Sequence, residues 1–341
     1  IIIGARIKYS WDVIRNFIKS IIKANFENCD IVMFVGKVPF NTIEKMKYYG
    51  VIIQYIPDEF LQGKAKINKY RFKLYLDFLK ENKNKYNMVF TADVRDTIFQ
   101  KDVFQFYNNY HKPFLGVFLE EKTIKEDFSN RVWAKKYCNE KNIRNNSIIC
   151  SGTIIGTIDK FIEFCDVLWG MLKTNVNIEA TFDQGAVNCI IYDKKIFNDC
   201  VIIKDNHGPV MTIGLTKTKK LVLDNEDNIL NFDGQVAAVV HQYDRKSSIF
   251  QKMKKKFAGK ILNISSINKE NNSIKKQINL NILYFIMFIS IIIILIIIFV
   301  CFLCCLLKKK MIQPKLKKNF KKMKKKIPKY MKVVKLKYKK F

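Results

Sequence analysis

Met88-Val89-Phe90-Thr91-Ala92-Asp93-Val94-Arg95-Asp96-Thr97-Ile98-Phe99 is an apolar run that ends abruptly in the two carboxylates of Asp93 and Asp96. It reads as a buried strand, and in an open α/β sheet ligands bind beyond the carboxyl ends of the strands. Two acidic oxygen donors at such an edge suit a hard divalent cation, which can in turn hold a phosphate-bearing substrate. The same residues also suit a solvated turn whose Asp side chains cap the next element.

The elements before this stretch set the fold class. Residues 1–5 read as a buried strand and 30–36 and 51–56 as further strands, and Trp11–Ala24 carries Val13, Ile14, Phe17, Ile18, Ile21 and Ile22 at helical spacing. A short helix at 41–49 and a longer one at 67–81 complete an alternation of strand and helix. That rhythm predicts a mostly parallel, Rossmann-like α/β sheet with helices on both faces. Further strands are expected at 113–120 and 148–156, helices at 161–174 and 180–192, and a hairpin at Asp233-Gly234.

The net charge of +31 suggests a nucleic-acid binder until it is divided along the chain. Residues 308–341 hold 17 Lys and no acid, and residues 251–278 hold eight Lys against one Glu. Subtracting both segments leaves +7 for residues 1–250. The extreme charge belongs to a tail and a linker, which argues against a nucleic-acid-binding fold.

Between the basic segments, residues 282–307 are uncharged and almost wholly apolar. At about 1.5 Å per residue such a helix covers a ~30 Å hydrocarbon core with some tilt. The chain therefore divides into a domain at 1–250, a basic linker at 251–281, a transmembrane helix at 282–307 and a Lys-rich tail at 308–341. Within 20 residues of the span, the C-terminal side has 11 Lys and the N-terminal side three. The tail is expected to be cytoplasmic and to touch anionic lipid, with residues 1–250 lumenal or extracellular. Cys301, Cys304 and Cys305 lie at the cytoplasmic end, suited to palmitoylation or to ordinary packing. Six further cysteines show no metal-ligand spacing; some of them can pair in a lumenal domain, with no connectivity readable. Sequons stand at Asn145, Asn263 and Asn271.

Three more pieces accompany the acidic pair. Cys150-Ser151-Gly152 makes a small polar corner at the start of a strand, Asp183, Gln184 and Asn188 present a carboxylate and two amides near the start of a helical segment, and Val239-Val240-His241 ends a strand in an imidazole. In this order, over residues 1–245, they resemble the nucleotide-sugar glycosyltransferases of GT-A fold. The resemblance is greatest to glycosyltransferase family 8 and to uncharacterised relatives with an Asp-Val-Arg-Asp motif. It implies that Asp93, Asp96 and His241 hold a divalent metal. Ala5, Arg71, Asp93, Arg95 and Asp96 would organise the donor, while Ser151, Gly152 and Asn188 would line the sugar or acceptor. Asp183 and Gln184 would face the transferred sugar as catalytic groups.

One departure stands out: two residues, not one, separate the carboxylates. This makes Asp96 the better metal ligand and leaves Asp93 for ribose, sugar or Arg contacts. Arg95 is placed for the diphosphate or for a neighbouring acid. An oxygen-plus-imidazole donor set suits Mn2+ better than Mg2+. The resemblance implies transfer from a nucleoside diphosphate sugar to a glycan, protein or lipid acceptor, with retention of configuration. The alternative is a catalytically inactive GT-A-like binding domain displayed on a membrane. A phosphohydrolase of haloacid-dehalogenase type needs its second Asp two residues after the first, which this chain lacks.

Overall fold

Strand β1 (Ile2–Ile7) sends Ile3 and Ala5 into one apolar core and Ile2 into another. Alternate side chains can both be buried only if both faces of the sheet are covered. Helix α1 (Trp11–Ala24) covers one face with Ile14, Phe17, Ile18 and Ile21, the spacing of a single helical stripe. Each such buried side chain contributes roughly 1.5–3 kcal/mol. After β2 (Ile31–Gly36), helix α2 (Phe40–Tyr48) joins the same face through Ile43 and Met46. Strand β3 (Ile52–Tyr55) precedes α3 (Lys66–Glu81), which crosses to the opposite face with Phe72 and Leu76.

The computed structural model describes residues 1–61, 66–174 and 183–259, with 287–290, 292–293 and 319 beyond them. The chain divides into two units, residues 1–261 and 262–341. The expected transmembrane helix, Lys-rich tail and the sequons at Asn263 and Asn271 lie almost wholly outside the described residues. Among the described residues no helix is long and apolar enough to cross a membrane.

Strand β4 (Met88–Ala92) and the short β5 (Thr97–Phe99) flank the acidic turn. Then follow β6 (Leu115–Thr123), α4 (Phe128–Ala134), α5 (Glu140–Ile143), β7 (Ser147–Thr157) and α6 (Ile158–Thr174). Helix α7 (Asp183–Asn188) runs into a π-helical turn at Cys189–Asp193, so the helix expected over 180–192 changes its winding part-way; residues 180–182 lie outside the described residues. Strands β8 (Val201–Lys204), β9 (Val210–Thr212), β10 (Val222–Leu223), β11 (Ile229–Leu230) and β12 (Val239–His241) lead to α8 (Ser247–Lys256). The turn expected at Asp233-Gly234 is present: Gly234 takes φ +78°, and Leu230 bridges Val236 antiparallel across it.

Seven strands form one sheet in the order β3-β2-β1-β4-β7-β6-β8, parallel throughout except for β7, which runs against both neighbours. The chain order reverses between β1 and β4, the switch point at which α/β sheets bind ligands. A second sheet, β5-β12-β9, sits beside this edge.

Residues 251–256, which composition assigns to a linker, belong to α8, whose Ile249 and Met253 are buried with Phe257 just beyond it. Lys19 of α1 closes that helix from below. Its ammonium donates to the carbonyls of Phe257 at 3.1 Å, Ala258 at 3.3 Å and Gly259 at 2.5 Å. A cation on the free carbonyls of a helix C-terminus is stabilised by the helix dipole.

Candidate active site

The acidic turn is built on close backbone approach. Gly4 on β1 leaves room for Val94; a Cβ there would stand 2.5 Å from the Val94 side chain. With Val94 fully buried and Arg95 turned outward, the turn aims Asp93 and Asp96 to one side. The pairing of β12 with β5 sets His241 opposite Thr97, next to Asp96 in sequence. Nε2 of His241 thus lies 3.7 Å from Oδ2 of Asp93 and 3.7 Å from Oδ1 of Asp96. One ligand atom from each of the three residues falls within 4.8 Å of the others. His241 is 1% exposed, Asp96 5% and Asp93 30%, so the cluster opens to solvent on the Asp93 side.

Two features fit a cation here. Nε2 of His241 is buried with no hydrogen-bond partner, a costly state for a polar atom unless something else binds it. Gly152 provides the space: a Cβ there would press on Cε1 of His241 and stand 2.7 Å from its Nε2 and 2.9 Å from Oδ2 of Asp93. Desolvation opposes ionisation of Asp93, but the Arg71 guanidinium and then His241 hold its carboxyl below the usual range. Burial likewise opposes charge on Asp96, and His241 overcomes it. Burial also disfavours a charged His241, yet Cys150, Asp93 and Asp96 together favour its protonated form.

Arg71, buried on α3, joins the acidic turn to α7. One guanidinium nitrogen donates to Asp93, the other to Asp183 and to the Ser151 carbonyl at 3.1 Å. Asp183 also accepts from the Ser151 hydroxyl at 3.1 Å and the Gln184 amide N–H at 2.9 Å. Burial pushes the Asp183 carboxyl upward despite Arg71.

No protein-family model matches the sequence, and no curated protein matches it. Among solved structures the chain is similar to LgtC. It shares 11% identity with an active-site mutant of LgtC, covering 74% of this chain and 94% of that one, at a TM-score of 0.47. With the galactosyltransferase LgtC in complex with donor and acceptor sugar analogues it shares 11% identity, covering 75% and 95%, at a TM-score of 0.48.

The remaining expected residues take more varied places. Cys150-Ser151-Gly152 stands in the middle of β7, not at a strand start: Cys150 pairs with Phe118 and Ile154 with Val117, so the intervening residues form a bulge. Bulges re-aim side chains next to sites. Arg95 pairs with acids, with Asp96 at 3.2 Å and Asp244 at 3.1 Å, and stays 46% exposed. Ala5 packs in the core. Its neighbour Arg6 is half-buried, with its guanidinium 4.7 Å from the Tyr9 ring centroid, and its charge adds to those that hold Asp93 ionised. Asn188, expected to line the sugar or acceptor, is buried. Its amide accepts from Ile149 N–H at 2.9 Å and donates to the carbonyls of Ile149 and Gln184, bracing α7 against β7. Gln184 accepts from Ser151 N–H at 3.2 Å and donates to Asn130 at 2.9 Å and Glu120 at 3.3 Å.

Glu120 is the group that sequence reasoning missed. It is buried, Gln184 and Gln242 both donate to it, and burial pushes its carboxyl above the usual range. Gln242 itself takes a left-handed backbone, φ +60°, a conformation that non-glycine residues adopt at a cost and often at functional sites. A disulfide between Cys138 and Cys189 ties the segment after α4 to the turn that follows α7. Cys29, Cys150, Cys165 and Cys200 are free thiols.

Proposed function

We propose that this chain is a membrane-anchored, metal-dependent glycosyltransferase. It moves a sugar from a nucleoside diphosphate sugar to a glycan acceptor with retention of configuration. The observation that carries this reading is the unpartnered Nε2 of His241, facing two carboxylates at the switch point of a mostly parallel sheet. The donor set of two carboxylates and one imidazole suits Mn2+.

A divalent ion held by Asp93, Asp96 and His241 supplies Lewis-acid neutralisation of the departing diphosphate. The protein's own groups do the rest. Arg71 holds Asp93 and Asp183 fixed relative to each other, so donor-side and sugar-side carboxyl groups move as one body. Asp183 and Gln184, at the first turn of α7, orient the sugar whose anomeric carbon gains positive charge on transfer. Exposed Arg95, held by two acids, provides a cation beside the metal ligands for the diphosphate. The Cys138–Cys189 pairing suits an oxidising compartment, which supports a lumenal or extracellular placement of this domain, with the membrane span at 282–307.

The test is turnover of a panel of nucleotide sugars with Mn2+ by the full chain in detergent, repeated with EDTA, Asp96→Asn and His241→Ala. Activity abolished by each of the three supports the reading. Metal-dependent binding of a nucleoside diphosphate without turnover would instead assign a binding domain. Activity indifferent to both substitutions would overturn the roles given to these side chains.

A further inference from the structure

Resting on that reading, we propose that Cys150 is a positioning residue for the metal site. Its sulfur fixes the ring and tautomer of His241 so that Nε2 is the nitrogen offered to the cation.

Nε2 faces Asp93 and Asp96, while Nδ1 sits 3.4 Å from Sγ of Cys150. A metal-bound imidazole nitrogen must present a lone pair, so the ring proton resides on the other nitrogen and needs an acceptor there. Cys150 supplies it. Two further donors already aim at the same sulfur: the Gly152 N–H at 3.4 Å and the Gln242 side-chain amide at 3.9 Å. The same Gln242 amide also reaches the buried carboxylate of Glu120 at 3.5 Å, which holds the amide against the sulfur.

The result is an imidazole backed by a thiol that Gly152 and Gln242 hold in place. The thiol does for His241 what a carboxylate or carbonyl does behind most metal-bound histidines. The bulge in β7 explains how one segment serves both sides of the ring. Cys150 lies behind the imidazole at Nδ1, and Gly152, without a side chain, leaves the face at Nε2 open.

Two measurements on the full chain test this. The first is Mn2+ affinity without nucleotide, read from the free-ion electron paramagnetic resonance signal. Cys150→Ala, which removes the acceptor, is expected to weaken binding by about 10- to 100-fold, while Cys150→Ser, which restores one, stays within about threefold of wild type. The second uses the wild type alone, labelled with 15N-histidine and loaded with Mg2+. Only His111, His207 and His241 contribute, and His241 is expected to carry its proton on Nδ1. Equal Mn2+ affinity in wild type and Cys150→Ala would overturn the role of Cys150 alone, whereas a proton on Nε2 in the Mg2+-loaded protein would overturn that role together with His241 as a ligand. Failure of the wild type to bind Mn2+ would overturn the metal reading along with it.

Discussion

The imidazole of His241 stands 3.7 Å from the carboxylate of Asp96 because the pairing of two three-residue strands puts His241 opposite Thr97. That pairing carries most of the chemistry assigned to the site. Replacing Asp96 with Asn keeps the shape and removes an anionic ligand. A metal ion stabilises a departing diphosphate by several kcal/mol, so donor turnover at fixed Mn2+ is expected to fall by about 10³-fold. Steady-state rates across a Mn2+ titration check this; a rate within tenfold of wild type contradicts it.

Gly152 offers a cleaner probe, since it contributes no ligand of its own. In Gly152→Ala the added methyl meets the His241 ring and Asp93. Mn2+ affinity is expected to drop by at least about tenfold, of the order seen when a ligand's support is disturbed. Far-ultraviolet circular dichroism should match wild type. Unchanged affinity by calorimetry would show that the methyl is accommodated and that the cradle is looser than its geometry indicates.

Arg71 is a stability residue as much as a site residue. Arg71→Ala strands Asp183, and in part Asp93, without their counter-charge. Breaking a buried pair in this way costs about 3–5 kcal/mol, and urea denaturation measures it. The substitution Arg71→Lys would not rescue the protein, since an ammonium lacks the planar fork that reaches both carboxylates.

The Cys138–Cys189 bridge closes a loop of sequence separation 51. On chain-entropy grounds its loss costs about 2–4 kcal/mol. Thermal unfolding with and without dithiothreitol, and of Cys138→Ser, should show the same lowering. A reductant-insensitive midpoint would mean that the two thiols are not joined.

His207 supplies a pH dependence away from the metal ligands. Its Nδ1 lies 2.7 Å from Asp233, and that hydrogen bond raises its pKa above the ordinary histidine value. A raised folded-state value means that the pair's stabilisation is fully present below the unfolded value near 6.5, and is lost as pH rises through the higher folded value. Asp233→Asn should return the titration of this ring toward about 6.5, followed by its NMR shift. No movement on substitution would exclude the pairing.

The parallel half of the sheet was legible in the sequence because β1, β2 and β4 are largely apolar runs set among helices of clear period, and the acidic turn follows at the sheet's edge. What could not be read depends on pairing between distant segments. The bulge of β7 exists only because β6 and β4 pair with it in different registers, and it turns an expected strand start into the wall behind His241. Asn188 looks like a sugar ligand in sequence, but its partner backbone at Ile149 is set by tertiary packing. Glu120 did leave a trace. It shares a period-two face with Gly116 and buried Phe118, and a carboxylate on such a face demands partners.

Lys19 ties the end of the domain back to its first helix. Its three carbonyl bonds clamp Phe257, Ala258 and Gly259, so these residues cannot peel away from α1 without breaking them. The next residue of that helix, Ser20, accepts a hydrogen bond from the Phe99 N–H at the end of β5. One helix thus fastens the last turn of the domain and the strand that follows the acidic turn from neighbouring positions in the chain.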